Sequence, residues 1–114
     1  MAKFVFGIDL GTTYSCISYV DETGRPVIVN NLEGTPTTPS VVNFASPDKV
    51  VVGQVAKECA EIDADNTVAW VRRLLGRIDF AVRYNGRDLS PREVCAYIFR
   101  KVAGDAAQIL DREI

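Results

Sequence analysis

Histidine is absent from the chain. That removes the commonest general base and the commonest metal ligand of proteins, so a histidine-based triad and an imidazole-bound zinc site are both excluded. Cysteine is scarce. Cys16, Cys59 and Cys95 are odd in number, far apart and at no metal-ligand spacing, so each reads as a small buried apolar residue in a reducing compartment. No apolar run approaches the roughly 20 residues of a membrane-spanning helix. Met1-Ala2-Lys3 leads into a short apolar segment broken by Gly7 and Asp9, with no small-residue cleavage site behind it. The chain therefore reads as soluble and cytoplasmic. Charge of one sign is missing too: 13 basic residues against 15 acidic give a net charge of −2, so neither nucleic acid nor a membrane is expected as a partner.

What is present suits a single globular domain, with 47% hydrophobic and 25% charged residues in 114 positions. Phe4 to Leu10, Cys16 to Val20 and Pro26 to Asn30 are β-rich runs separated by turn residues, which predicts an α/β fold whose mixed sheet opens with an antiparallel three-stranded meander. The first run is apolar almost throughout and reads as a central strand covered on both faces. Asn31 to Pro39 reads as a loop, and Val41 to Phe44 and Val50 to Val52 as two more strands. Val52, Val55, Ala56, Cys59 and Ala60 fall at helical spacing and predict a short helix ending near Ile62. A second helix is expected from a cap at Asn66 or Thr67, with Val68, Val71, Leu74 and Leu75 on one face and Gly76 as its stop.

Phe80 to Tyr84 and Arg87 to Leu89 predict a hairpin across Asn85-Gly86, a pair that tolerates the positive φ of a tight primed turn. Ser90-Pro91-Arg92-Glu93 is a capping box with proline at the first helical position. It opens a long C-terminal helix with Val94, Ile98, Val102, Ala106, Ile109 and Leu110 in one stripe. No Gly or Pro ends that helix before Ile114, so the sequence reads as a segment of a longer chain. Trp70, Phe80, Tyr84, Tyr97 and Phe99 are spread over several elements and read as core rather than as a base-stacking surface. Arg72, Arg73, Arg77, Arg83 and Arg87 read as a solvated face, and Asp79, Asp88 and Glu93 as surface or capping residues.

One segment carries chemistry. Gly7-Ile8-Asp9-Leu10-Gly11-Thr12-Thr13-Tyr14-Ser15 joins a strand, a carboxylate near its end and a hydroxyl-rich turn. Gly11 has no side chain to hold a phosphate away from the backbone, so successive amides can form an anion-binding concavity, and Thr12 and Thr13 add hydroxyl donors. Asp9 offers negative charge for a hard cation such as Mg2+, which keeps its waters and bridges to phosphates. The same residues are also ordinary hairpin formers.

Gly7-Ile8-Asp9-Leu10-Gly11-Thr12-Thr13-Tyr14-Ser15-Cys16 resembles the opening signature of the seventy-kilodalton heat-shock chaperones, within the superfamily of actin, sugar kinases and heat-shock ATPases. The resemblance continues through Thr37-Thr38-Pro39-Ser40, Val52-Gly53, Ala56-Lys57, Asn66-Thr67-Val68, Arg73-Leu74-Leu75-Gly76-Arg77 and the helix opened by Ser90 to Glu93. It implies a ribonuclease H-like, actin-like ATPase half-domain: residues 1 to 114 as the N-terminal part of lobe one. It also implies that Gly11, Thr12, Thr13 and Tyr14 hold the β- and γ-phosphates of ATP, that Asp9 contacts Mg2+ through water, and that Thr37 supports the γ-phosphate side. Unfolded polypeptides, co-chaperones and a nucleotide-exchange factor are the implied partners of the parent protein.

Two departures stand out. The family carries a catalytic lysine where this chain has Arg72, and it inserts a few dozen residues between Arg77 and Ser90 where only a small hairpin fits, so the outer subdomain is expected to be reduced. Pro36 also stands where relatives commonly show a basic residue. A small-molecule kinase would need a substrate pocket and a catalytic carboxylate that this segment lacks; a non-hydrolysing, actin-like interaction protein remains the rival reading. One phosphate turn without a recognisable adenosine pocket predicts poor ATP binding by the segment alone, and an uncovered lobe predicts self-association.

Overall fold

The computed structural model describes residues 5–47, 49–70, 75 and 82–111. The chain forms a mixed α/β structure of small antiparallel sheets and a C-terminal helix. β1 (Phe6–Leu10), β2 (Tyr14–Val20) and β3 (Pro26–Val29) form the expected meander, and β4 (Thr38–Pro39) adds a short pairing to the start of β2. β4 lies inside the stretch read as loop, where only two residues pair.

β1 departs from expectation. It pairs with β2 alone among the described residues and alternates along its length: Phe6, Ile8 and Leu10 pack against the core, while Gly7 and Asp9 are exposed. An apolar run that includes glycine lets a one-sided edge strand pass for a central one.

β5 (Val41–Ser46) is the middle of a second sheet, between β6 (Lys49–Val52) and β7 (Thr67–Ala69). Here the start of the predicted second helix is corrected: the expected cap at Asn66 or Thr67 and the first apolar residue, Val68, do not open a helix. Thr67–Ala69 is a strand, preceded by a 3-10 turn at Ala64–Asn66, and Val68 faces Val42 across the ladder. Tertiary pairing outweighs helical spacing in a stretch rich in β-branched residues. Val71, Leu74 and Gly76, which completed that prediction, lie outside the described residues. α1 (Gln54–Cys59) is shorter than predicted and buries only Ala56 fully.

β8 (Val82–Tyr84) and β9 (Arg87–Leu89) form the predicted hairpin, with φ 51° at Asn85 and 76° at Gly86. The Tyr84 hydroxyl lies 3.0 Å from the Ser46 carbonyl oxygen and 2.9 Å from that of Pro47, and Asn85 Nδ2 donates to Pro47 at 3.0 Å, which ties the hairpin to the β5–β6 turn.

α2 (Pro91–Leu110) begins at the predicted capping box: Ser90 Oγ accepts from the Glu93 amide, and the Glu93 carboxylate accepts from the Ser90 amide. Its Val94, Ile98, Val102 and Ala106 stripe lies against Ile17, Val29, Val42, Phe44 and Leu89, so one core joins both larger sheets and the hairpin. Ile109 falls off the four-residue repeat and is 51% exposed. Phe44 stacks at a tilt on Tyr84 and edge-on to Tyr97, so those rings are core as read, but Phe99 and Trp70 are exposed. Among the described residues no helix is long and apolar enough to cross a membrane.

Candidate phosphate-binding site

The register of β1 on β2 pairs Leu10 with Ser15, leaving Gly11–Thr13 and the start of β2 to reverse the chain. Gly11 is required by proximity rather than by φ: a Cβ there would overlap the Tyr14 carbonyl oxygen. The turn is pinned from beneath by Ser15 and Ser40, both fully buried. Ser40 Oγ donates to the Gly11 carbonyl at 2.9 Å, so its own oxygen accepts the Ser15 hydroxyl at 2.8 Å. The Ser40 amide donates to the Thr13 carbonyl at 2.9 Å. Carbonyls are thus consumed on the inner side of the turn.

Residues paired directly across an antiparallel ladder share a face. Asp9 pairs with Cys16, and Tyr14 lies two residues from Cys16 on β2, so Asp9, Cys16 and Tyr14 occupy the sheet face opposite the core. Asp9 is exposed and has no ion pair among the described residues, and no group of three or more potential metal ligands occurs among them. A lone, solvent-facing carboxylate beside the Gly11–Tyr14 turn fits Mg2+ held through water and does not fit a fully protein-ligated metal.

Lys57 reaches the same place from α1. Its Nζ donates to the Tyr14 hydroxyl at 3.1 Å and lies 5.2 Å from that ring's centroid. An ammonium has three donors, and no carboxylate of the described residues pairs with this one. Thr12, Thr13, Ser40 and Lys57 line one side of an open cleft of about 290 Å3 that Val41, Ala69 and Trp70 continue. Trp70 takes φ 55°, a left-handed backbone that costs a bulky side chain on the order of 1 kcal/mol.

Of the predicted site residues, Gly11, Thr12, Thr13 and Tyr14 form one turn and Asp9 lies on the face it shares with Tyr14. The Thr37 side chain is exposed and outside this cleft. Its carbonyl is held by Asn31 Nδ2 at 3.2 Å and Thr35 Oγ1 at 3.0 Å. Arg72 lies outside the described residues. Sequence reasoning passed over Lys57 and Ser40 as site residues and read Trp70 as core rather than as a base-stacking surface. Ala56-Lys57 and Ser40 sit in stretches that carried the family resemblance, but their contacts span 43 and 29 residues and leave no local periodic signal.

Behind the site, a charge cluster anchors the loop before β4. Lys101 Nζ on α2 meets Asp105 at 2.7 Å and Glu33 at 2.9 Å, and Asp105 also accepts the Leu32 amide at 3.0 Å. Burial pushes the Lys101 pKa down, but the hydrogen bonds and charges of Asp105 and Glu33 outweigh it and hold the pKa above the ordinary value. Asp21, in the β2–β3 turn, is held below the ordinary carboxylate value by the Thr23 hydroxyl and the Arg25 amide.

Compared with known families, the chain matches the model described as Hsp70 protein over residues 5–82, a span that takes in the Gly11–Tyr14 turn, Ser40, Lys57 and Trp70.

Proposed function

The chain belongs to the Hsp70 family, and from that membership we propose that residues 1–114 are the N-terminal part of lobe one of an actin-like, ribonuclease H-like ATPase domain. Its parent is then a cytoplasmic chaperone coupling ATP hydrolysis to protein folding. The observation that carries the reading is the turn at Gly11–Tyr14: its Gly11 and Thr13 carbonyls are tied down by the buried Ser40 hydroxyl and amide, while the Thr12 and Thr13 side chains and a cation at Lys57 border the same cleft.

Gly11, Thr12, Thr13 and Tyr14 are assigned to the β- and γ-phosphates, with Thr37 supporting the γ-phosphate side. Asp9 is assigned to the waters of Mg2+, a cation that when bound neutralises phosphate charge. The roles of the protein groups are to place the phosphate chain and hold its oxygens in line for attack by water. Unfolded polypeptides, co-chaperones and a nucleotide-exchange factor are the proposed partners of the parent protein. The short β8–β9 hairpin, standing where the family has a larger outer subdomain, argues for a reduced exchange-factor contact. Exposed Val5, Ile28, Val55 and Ile62 favour self-association of the segment, which sedimentation at rising concentration checks.

The test is an amide-resolved NMR titration of the chain with Mg-ATP. Gly11, Thr12 and Thr13 should shift with a dissociation constant no tighter than roughly 1 mM, about −4 kcal/mol, because one lobe meets only part of the ligand. A titration that leaves those three amides unmoved overturns the assignment.

Arg72 favours the second reading, a nucleotide-dependent but non-hydrolysing interaction protein. A guanidinium clamps oxygens in a plane, whereas an ammonium is a compact charge that can also place a water. The parent protein should therefore bind Mg-ATP and hydrolyse it more slowly than its Arg72→Lys variant, by up to about 100-fold if the water is displaced. Single-turnover rates that are equal, or slower with lysine, overturn this role; no turnover in either protein favours the non-hydrolysing reading.

A further inference from the structure

Among the described residues Lys101 alone meets two carboxylates, Asp105 on its own helix at 2.7 Å and Glu33 in the loop that ends at Thr37 at 2.9 Å. We propose that Lys101 is a positioning residue for Thr37: by bridging Glu33 to Asp105 it holds the loop in the shape that offers the Thr37 hydroxyl to the γ-phosphate of a bound nucleotide. The proposal rests on the assignment of Thr37 to the γ-phosphate side and adds Glu33, Lys101 and Asp105, which the sequence did not single out.

Two fastenings converge on the loop. Asp105 accepts the Leu32 amide at 3.0 Å and Lys101 takes the Glu33 carboxylate, so consecutive loop residues are tied to α2 through main chain and side chain. The buried Asn31 carboxamide carries that shape forward. Its Oδ1 accepts the Thr35 amide at 2.9 Å, and its Nδ2 donates to the Thr37 carbonyl at 3.2 Å and the Thr38 hydroxyl at 3.0 Å. Thr37 is thus held by its main chain, while its exposed hydroxyl takes no hydrogen bond among the described residues. A fixed backbone with an unspent hydroxyl is preorganised for a ligand.

The cation reaches the loop through a gap that a glycine keeps open. Gly53 takes φ 102° at the entry to α1, and a Cβ there would lie 3.1 Å from Thr38 Cγ2 and 3.8 Å from both Lys101 Cε and Glu33 Oε1. The Lys101 and Asp105 side chains are 20% and 8% exposed, against 71% and 63% for Arg83 and Asp88 of the hairpin pair. An exposed pair contributes little, whereas removing one member of a screened pair leaves a charge that must find water, and the loop moves with it. The Gly11–Thr13 turn has its own anchor in Ser40. Loss of the cluster should therefore be felt at Thr37 and not at the turn.

The experiment titrates the 114-residue chain with Mg-ATP and with Mg-ADP, reading the Thr37 amide beside those of Gly11, Thr12 and Thr13. In the wild type Thr37 should respond to Mg-ATP alone, and the turn to both nucleotides. Lys101→Met should abolish the Thr37 response and cut the preference for Mg-ATP over Mg-ADP by about threefold, with Mg-ADP affinity unchanged. Lys101→Arg keeps a cation between the carboxylates and should restore most of the preference. Glu33→Gln spares the Lys101–Asp105 pair within α2, so it should give the same pattern at smaller amplitude and decides the matter if Lys101→Met does not fold. A Thr37 response that survives both variants, or an equal loss of affinity for both nucleotides, overturns the positioning role and leaves the phosphate turn standing. Thr37 unmoved in the wild type while the turn responds overturns the positioning role together with the Thr37 assignment. Amides unmoved by either nucleotide overturn the phosphate turn as well.

Discussion

The Gly11–Thr13 turn and the Asn31–Thr37 loop both flank β4, and they are held by opposite means. Beneath the turn are neutral groups: the Ser40 hydroxyl, backed by that of Ser15, satisfies the Gly11 carbonyl and the Ser40 amide that of Thr13, while the Thr12 and Thr13 side chains line the open cleft. The loop is held by charge and by its own polar groups. Asn31 accepts from the Thr35 amide and donates to the Thr37 carbonyl and the Thr38 hydroxyl, and Glu33 and Leu32 are fastened to Lys101 and Asp105 of α2. Neutral foundations leave the Thr12 and Thr13 hydroxyls and the open cleft without a fixed charge beneath them, whereas the loop commits most of its polar groups to its own shape.

The largest expected effect that sharpens this contrast is Gly11→Ala. The added Cβ meets the Tyr14 carbonyl oxygen, so the turn must open, at a cost of about 3 kcal/mol in chemical denaturation and with loss of phosphate-induced amide shifts. A variant of unchanged stability and binding would show that the turn has room for a side chain at Gly11.

Asp105→Ala should cost about 2 to 3 kcal/mol, because it strips Lys101 of its nearest carboxylate and the Leu32 amide of its acceptor. The raised Lys101 pKa fixes the sign of a pH effect. Its stabilisation is fully present below the ordinary lysine value of 10.5 and fades as pH climbs through the raised value. The wild type should thus lose part of its advantage over Asp105→Ala in alkali and at high salt, as denaturant midpoints would reveal.

Ser40→Ala should cost about 2 kcal/mol, since it leaves the Gly11 carbonyl and the Ser15 hydroxyl without their partner in a buried place. In contrast to Asp105→Ala, that loss should not vary with salt or alkali. A salt-dependent loss would break the comparison.

At the small end, Gly104 lies exposed in α2 with no heavy atom within 4 Å of a built Cβ, so Gly104→Ala should stabilise by about 0.5 to 1 kcal/mol and raise the melting temperature. No phosphate-induced shift should change. Asp21 supplies the acid counterpart. Its depressed pKa contributes stability above 3.8 that is lost as pH falls through the lowered value, loosening the β2–β3 turn before the Ser15–Ser40 pair is affected.

Sequence by itself determined the parts whose cause is local. The Ser90 capping box, the Asn85-Gly86 turn, the meander and the hydroxyl-rich turn at Gly11–Tyr14 each depend on residues within a few positions of one another, and each was legible before any fold was known. Tertiary structure alone decided the rest. Thr67–Ala69 became a strand because β5 offered it a ladder through Val41, Val42 and Asn43, far away in sequence. Trp70 left the predicted core for the cleft because that strand ends beside the turn. Lys57 and Ser40 joined the candidate site through contacts spanning 43 and 29 residues. Periodicity reports which face of an element is apolar; it carries no information about which distant element will meet the other face, and that meeting brought a cation and an indole beside the Gly11–Tyr14 turn.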